Sequence, residues 1–133
     1  MSRADIETVR AAYEAYARGD FAAAAAAYAP DIEWDVRRFR PDVEMHRGTQ
    51  EQAEGILSWR DAWRDHFFEV ESLTEAGDDI VAVIHEGGVG KASGVPVRLR
   101  YGQIVTVREG KIAKTVVYRD PDEAFRDAGI APR

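Results

Sequence analysis

The sequence predicts an α+β domain with helices on one face of a curved antiparallel sheet. Three observations lead there. Up to residue 65 the chain reads as helices around one short strand. Beyond it, four strand-like runs follow one another, separated by turn residues. Finally, 133 residues, 45% hydrophobic and 32% charged, suit a single globular domain over residues 1–133. A chain of that length can bury a core without a disulfide or metal staple.

The elements follow in order. Ser2 with Asp5 gives an N-terminal cap, and Ile6, Val9, Tyr13 and Tyr16 recur at helical steps as one apolar stripe. Gly19 ends that helix, because glycine enters the left-handed cap conformation freely. Asp20 caps a short alanine-rich helix to about Tyr28, and Pro30 stops it. Asp31–Val36 alternates and reads as a strand, followed by a polar connection over residues 37–48. Thr49 with Gln52 forms a capping box and opens a third helix to about Asp65. Its apolar face carries Ala53, Ile56, Leu57, Trp59 and Trp63. Strands are expected at Phe67–Glu75, Ile80–Gly87, Pro96–Arg108 and Lys111–Arg119. Asp120 as cap, Pro121 at the first position and Glu123 start a terminal helix, which Gly129 and Ile130 close.

Alternation assigns the strand faces. In Pro96–Arg108 the set Val97, Leu99, Tyr101, Gln103, Val105 and Val107 should face the helices. In Ile80–Gly87 the expected inward set is Val81, Val83 and His85, but Ile80, Ala82 and Ile84 make the other face apolar too. In the last strand Ala113, Thr115 and Val117 oppose Ile112, Val116 and Tyr118. A sheet apolar on both faces needs cover on both, and the helices cover one. The outer face is therefore expected to pack on a second copy as a two-fold homodimer.

Composition removes several function classes. With 24 acidic against 18 basic residues, a net charge of −6 argues against a general nucleic-acid binder. The absence of cysteine excludes disulfides, thiol catalysis, iron–sulfur clusters and Cys-type zinc sites. His46, His66 and His85 lie far apart and never as H-x-x-x-H, so no metal site is expected. The longest apolar run, Phe21–Ala29, is too short to span a bilayer, and the first residues lack a signal-peptide apolar region. A soluble cytoplasmic protein without membrane or nucleic-acid partners is the expectation. Gly87-Gly88-Val89-Gly90 has neither a following helix nor G-K-[ST], so it reads as a hairpin connection rather than a phosphate loop. Arg37, Arg38, Arg40 and Arg47 read as a solvated loop, or as a rim for an anionic ligand.

VRAAYEAYARGD (Val9–Asp20), the alanine-rich helix after Phe21 and DIEWD (Asp31–Asp35) resemble the opening of the nuclear transport factor 2-like superfamily, most of all its SnoaL-like branch. His46-Arg47-Gly48, Val107–Ile112 and the tail DPDEAFRDAGI (Asp120–Ile130) continue the resemblance over essentially the whole chain. It implies a cone: a bent sheet wrapped around the N-terminal helices, with an open apolar pocket inside and, in many members, dimerisation through the outer sheet face. Members include ketosteroid isomerases, polyketide cyclases, limonene epoxide hydrolases, scytalone dehydratases and binding or accessory domains, so fold alone does not choose an activity.

Carried over residue by residue, the resemblance puts a general base at Asp35. Among Trp34, Trp59 and Trp63 its carboxyl would be desolvated and its pKa raised; beside Arg37 and Arg38 it would instead be an ionised surface group. The isomerases' oxyanion-hole tyrosine falls near Ala12, with Tyr16 one turn on, and their second acid falls at Gln103, which donates a hydrogen bond but carries no catalytic proton. The epoxide hydrolases' last-strand acid falls at Val117, which argues against that activity. Pocket histidines of dehydratases suggest His85, with Tyr101 and Gln103 beside it; a hydrogen-bonded core or rim histidine is the plainer reading. His46 and His66 read as structural or surface residues. Two functions stay open. One is a cofactor-independent isomerase or lyase in which Asp35 or His85 moves a proton next to a carbonyl and Tyr101, Gln103 or Tyr16 holds the oxyanion. The other is a dimeric ligand-binding or accessory domain. Either would take a small apolar or carbonyl-containing molecule in a pocket lined by Tyr16, Trp34, Trp59, Trp63, Tyr101, Gln103 and Val117.

Overall fold

A computed structural model describes residues 3–132. The order is α1 (Arg3–Ala17), α2 (Phe21–Ala25), β1 (Tyr28–Asp35), β2 (His46–Arg47), α3 (Gly48–Asp61), β3 (Trp63–Ala76), β4 (Asp79–Gly90), β5 (Pro96–Arg108), β6 (Lys111–Tyr118) and α4 (Pro121–Asp127). The strands form one curved, unclosed sheet in the order β2-β1-β6-β5-β4-β3. Pairing from β3 to β6 is antiparallel, as expected, whereas β1 runs parallel to β6. The sheet is therefore mixed.

The caps agree with the sequence at three helix ends. Gly19 is left-handed at φ 82° beyond α1. Asp20 accepts from the Ala23 N–H at the start of α2, and Asp120 accepts from the Asp122 N–H at the start of α4. The Ser2 half of the first cap lies outside the described residues. α3 departs from expectation at both ends. It begins at Gly48, so Glu51, not Gln52, reaches back to the Arg47 N–H at 3.0 Å, and Gln52 turns inward to only 4% exposure. It also stops at Asp61, so Trp63 belongs to β3.

Two apolar layers flank the sheet. The inner one joins Val9 and Tyr13 of α1 to Ile32, Ile80, Ala82, Ile84, Tyr101, Val105, Ile112 and Val117. The facing expected for β5 therefore holds, and that for β4 is reversed. Register decides it: Ile84 lies opposite Tyr101 and Ala82 opposite Gln103, and directly opposed residues share a face. Val81, Val83 and His85 consequently point outward. The outer layer joins Val81, Val83 and Tyr118 to Ala124 and Phe125 of α4, with Ile104 and Val116 packed against it. A Cβ on Gly102 would lie 2.9 Å from Pro121 Cα and 3.0 Å from Ala124 Cβ, so α4 sits directly on the β5 backbone. The terminal helix thus gives the apolar outer face cover from within the chain at Val81, Val83 and Tyr118.

Candidate functional site

Between α1, α3, residues 36–43 and the inner sheet face lies a cavity of about 360 Å³. Apolar and aromatic groups make most of its wall, including Trp34, Phe39, Ile56, Phe68 and Val117. Six of the seven expected pocket residues line it: Tyr16, Trp34, Trp59, Tyr101, Gln103 and Val117. Trp63 does not. From β3 it meets Trp59 edge-on, with ring centroids 5.5 Å apart.

The polar centre of the cavity is a residue the alternation had placed on the wrong face. Glu86 is 2% exposed and follows the apolar run Ile80–Ile84 on the inward side of β4. Its Oε2 accepts from the Tyr16 hydroxyl at 3.1 Å and from the Trp59 indole N–H at 2.9 Å, and lies 2.6 Å from His66 Nε2. Its Oε1 accepts from the Tyr101 hydroxyl at 2.5 Å. Four separate elements thus converge on one carboxylate: α1, α3, β3 and β5. His66 reaches it because β3 shifts register between Arg64 and Phe67, around Asp65 at φ 53°. Burial above all, and then the charge of Glu86, push the Tyr16 and Tyr101 hydroxyls far above their ordinary range. Both stay protonated donors at any working pH. A second contact runs from the Tyr13 hydroxyl to Gln103 Oε1, which leaves the Gln103 amide N–H pair as donors. Burial raises Tyr28, also on the wall, to about 12.

Asp35 and His85 do not line the cavity. Asp35 stands between Trp34 and Val36, which do, and points away from both. Arg37 grips it from outside, Nε to Oδ1 at 2.9 Å and Nη2 to Oδ2 at 2.8 Å. Those hydrogen bonds outweigh its partial burial and hold the carboxyl below its ordinary range, opposite to the shift expected of a pocket base. His85, on the outer face, places Nε2 2.6 Å from Glu71 Oε1, and Arg100 forks onto the same carboxylate through two 2.9 Å contacts. Arg100 first, and then His85, draw Glu71 down from 4.5 to about 2. A depressed carboxyl stabilises the fold above its unfolded value and loses that contribution as pH falls through the folded one. The Tm difference between the parent chain and Glu71→Gln is therefore expected to be constant above pH 4.5 and to shrink toward pH 2, read by thermal melts across pH. Because Glu71 is exposed, the difference is small.

Among the described residues, no three or more His, Cys, Asp or Glu side chains are grouped to hold a metal ion. No helix there is long and apolar enough to cross a membrane.

The sequence profile of the SnoaL-like domain matches residues 9–115, most of the chain. The chain belongs to the SnoaL-like domain family. No curated protein matches this SnoaL-like domain. Solved structures do. An NTF2-like protein from Burkholderia thailandensis is 26% identical with a TM-score of 0.78, over 88% of this chain and 91% of that one. TerC, co-crystallised with polyporic acid, is 20% identical with a TM-score of 0.74, over 94% and 97%. A protein of ketosteroid isomerase-like fold from Catenulispora acidiphila, solved in complex with trimethylamine, is 15% identical with a TM-score of 0.73, over 95% of each chain. At such identities the last two establish the fold of this SnoaL-like domain and nothing finer.

Proposed function

We propose that the domain binds a small, mainly apolar molecule in the cavity and moves a proton on a carbon next to its carbonyl, as a cofactor-independent isomerase or lyase. One observation carries this reading: a fully buried carboxylate, Glu86, set in an aromatic wall between His66 and two tyrosines that remain protonated. In the proposed step Glu86 Oε1, which accepts a single hydrogen bond, takes the proton. The C–H electron pair moves into the adjacent carbonyl, whose oxygen gains charge. Tyr101, Tyr16 or the Gln103 amide then donates to that oxygen. Where the substrate has a β,γ double bond, return of the proton to the γ-carbon shifts that double bond into conjugation and completes an isomerisation; where it has a leaving group on the β-carbon, return of the electron pair from the oxygen expels that group and completes an elimination. The co-crystallisation of TerC with polyporic acid and the complex of the Catenulispora protein with trimethylamine support the idea that this cone accommodates small organic molecules.

The test is deuterium exchange into 2-tetralone, an aromatic ketone with an acidic α-C–H, followed by NMR in D₂O below the melting point of every variant. The parent chain is expected to accelerate exchange and Glu86→Gln to lose about 10²-fold or more, with Asp35→Asn and His85→Ala within about twofold. The second reading, a binding domain without chemistry, is favoured by one fact: the Tyr13, Tyr16 and Tyr101 hydroxyls all donate within the protein, so the Gln103 amide is left as the free donor for an oxyanion among these groups. Binding of 2-tetralone without accelerated exchange would establish it.

A further inference from the structure

Gln52 has no part in the proton-transfer scheme, yet it is 4% exposed and lines the cavity. Its Oε1 is buried and has no hydrogen-bond partner. An unsatisfied buried carbonyl destabilises a fold, so a helix residue in this position calls for an explanation. Capping is not one, because Glu51 already takes the Arg47 N–H. The rest of the polar wall narrows the alternatives. The Trp59 N–H and the Tyr16 and Tyr101 hydroxyls all donate to Glu86, and the Tyr13 hydroxyl donates to Gln103. What those groups leave open to a ligand is the Gln103 amide N–H pair as donor and acceptor capacity at the phenol oxygens, and Gln52 Oε1 adds a further acceptor that no protein donor uses.

Position adds a direction. Gln52 and Trp59 are seven residues apart on α3, two turns along one face, which places them about 10 Å apart along the helix axis. Trp59 meets Glu86, so Gln52 marks the far end of the same wall.

We propose that Gln52 is the specificity-determining residue of the cavity, its buried Oε1 accepting from a hydroxyl or N–H at the end of an apolar ligand remote from Glu86. This rests on the reading of the cavity as a small-molecule site. It narrows the ligand from an apolar carbonyl compound to one that also carries a hydrogen-bond donor at its distal end.

The experiment uses the full chain and Gln52→Met, with 2-naphthol, 2-methoxynaphthalene and naphthalene as probes in calorimetric titrations. The methoxy probe keeps the ring and the oxygen but removes the donor. The preference for 2-naphthol over 2-methoxynaphthalene is expected to fall about tenfold on Gln52→Met, since the acceptor that reads the donor is gone. Removing an orphaned buried carbonyl is also expected to raise the ligand-free Tm by about 3–8 °C. An unchanged preference in Gln52→Met overturns the proposal while leaving the cavity a binding site. A lower Tm, or a variant that does not fold, overturns it too, because the amide would then be serving the fold. If none of the three probes binds the parent chain, the small-molecule reading itself falls.

Discussion

Glu86→Ala is expected to lower the unfolding free energy by about 3–5 kcal/mol, measured by urea titration, and to drop Tm by more than about 10 °C. The substitution orphans the Tyr16 hydroxyl, the Trp59 indole N–H, the Tyr101 hydroxyl and the inward nitrogen of His66 at once. Each unsatisfied buried group costs about 1–3 kcal/mol, so the gross loss exceeds the net figure. The offset is real: a carboxylate 2% exposed no longer has to be desolvated when the residue becomes alanine. Glu86→Gln keeps the shape but turns an N–H₂ toward groups that are themselves donors, so an intermediate loss is expected. A cost under 1 kcal/mol for Glu86→Ala would mean that water replaces the carboxylate and that the four groups do not depend on it.

Phe125→Ala is the second large effect. Phe125 is fully buried and anchors α4 over Val81, Val83 and Tyr118. Truncating a buried phenylalanine costs about 3–5 kcal/mol. A seven-residue helix has almost no stability of its own, so α4 should leave the sheet as a unit rather than repack. Two readouts follow. The urea m-value should fall, because surface that α4 buried is already open in the native state. Size-exclusion chromatography should show concentration-dependent association, because an uncovered apolar strip remains on the outer face. A variant that loses stability but stays the size of the parent at all concentrations would show that the strip is too small to recruit a second copy.

The legible part of this fold was whatever one period or one cap decides. Asp20, Asp120, Pro121 and Gly129 named helix ends, and the clean alternation of β5 put Tyr101 and Gln103 inside. β4 was illegible because Ile80–Ile84 is apolar at every position, so its facing follows only from the pairing of Ile84 with Tyr101. That single reversal exchanged His85 for Glu86 at the candidate site. The available signal was an acid at the end of a wholly apolar strand, which has a place inside a protein only where donors meet it. Trp63 was assigned to α3, whereas His66, read as a structural or surface residue, is a buried partner of Glu86 that comes into reach through the bulge of β3. The hydrophobic pattern of α3 runs on past Asp61, and nothing local announces the break or the bulge at Asp65. The caps of α4 mark it as a helix but carry no signal of the surface it packs on, so its cover of Val81, Val83 and Tyr118 is visible only in the fold.

The pairing of β1 with β6 has a kinetic consequence. Trp34 lies opposite Thr115, and both line the cavity, yet most of the chain separates them. The hairpins of β3 to β6 close short loops and can form early, while joining β1 to β6 requires a long loop whose entropy must be overcome first. The cavity is thus completed only when the longest-range strand pairing of the sheet forms, which is expected to be late. Until then the sheet presents Ile80, Ala82 and Ile84 to solvent, and β6 offers an unpaired edge. The stage of folding expected to be most exposed to aggregation is therefore the one just before β1 joins β6.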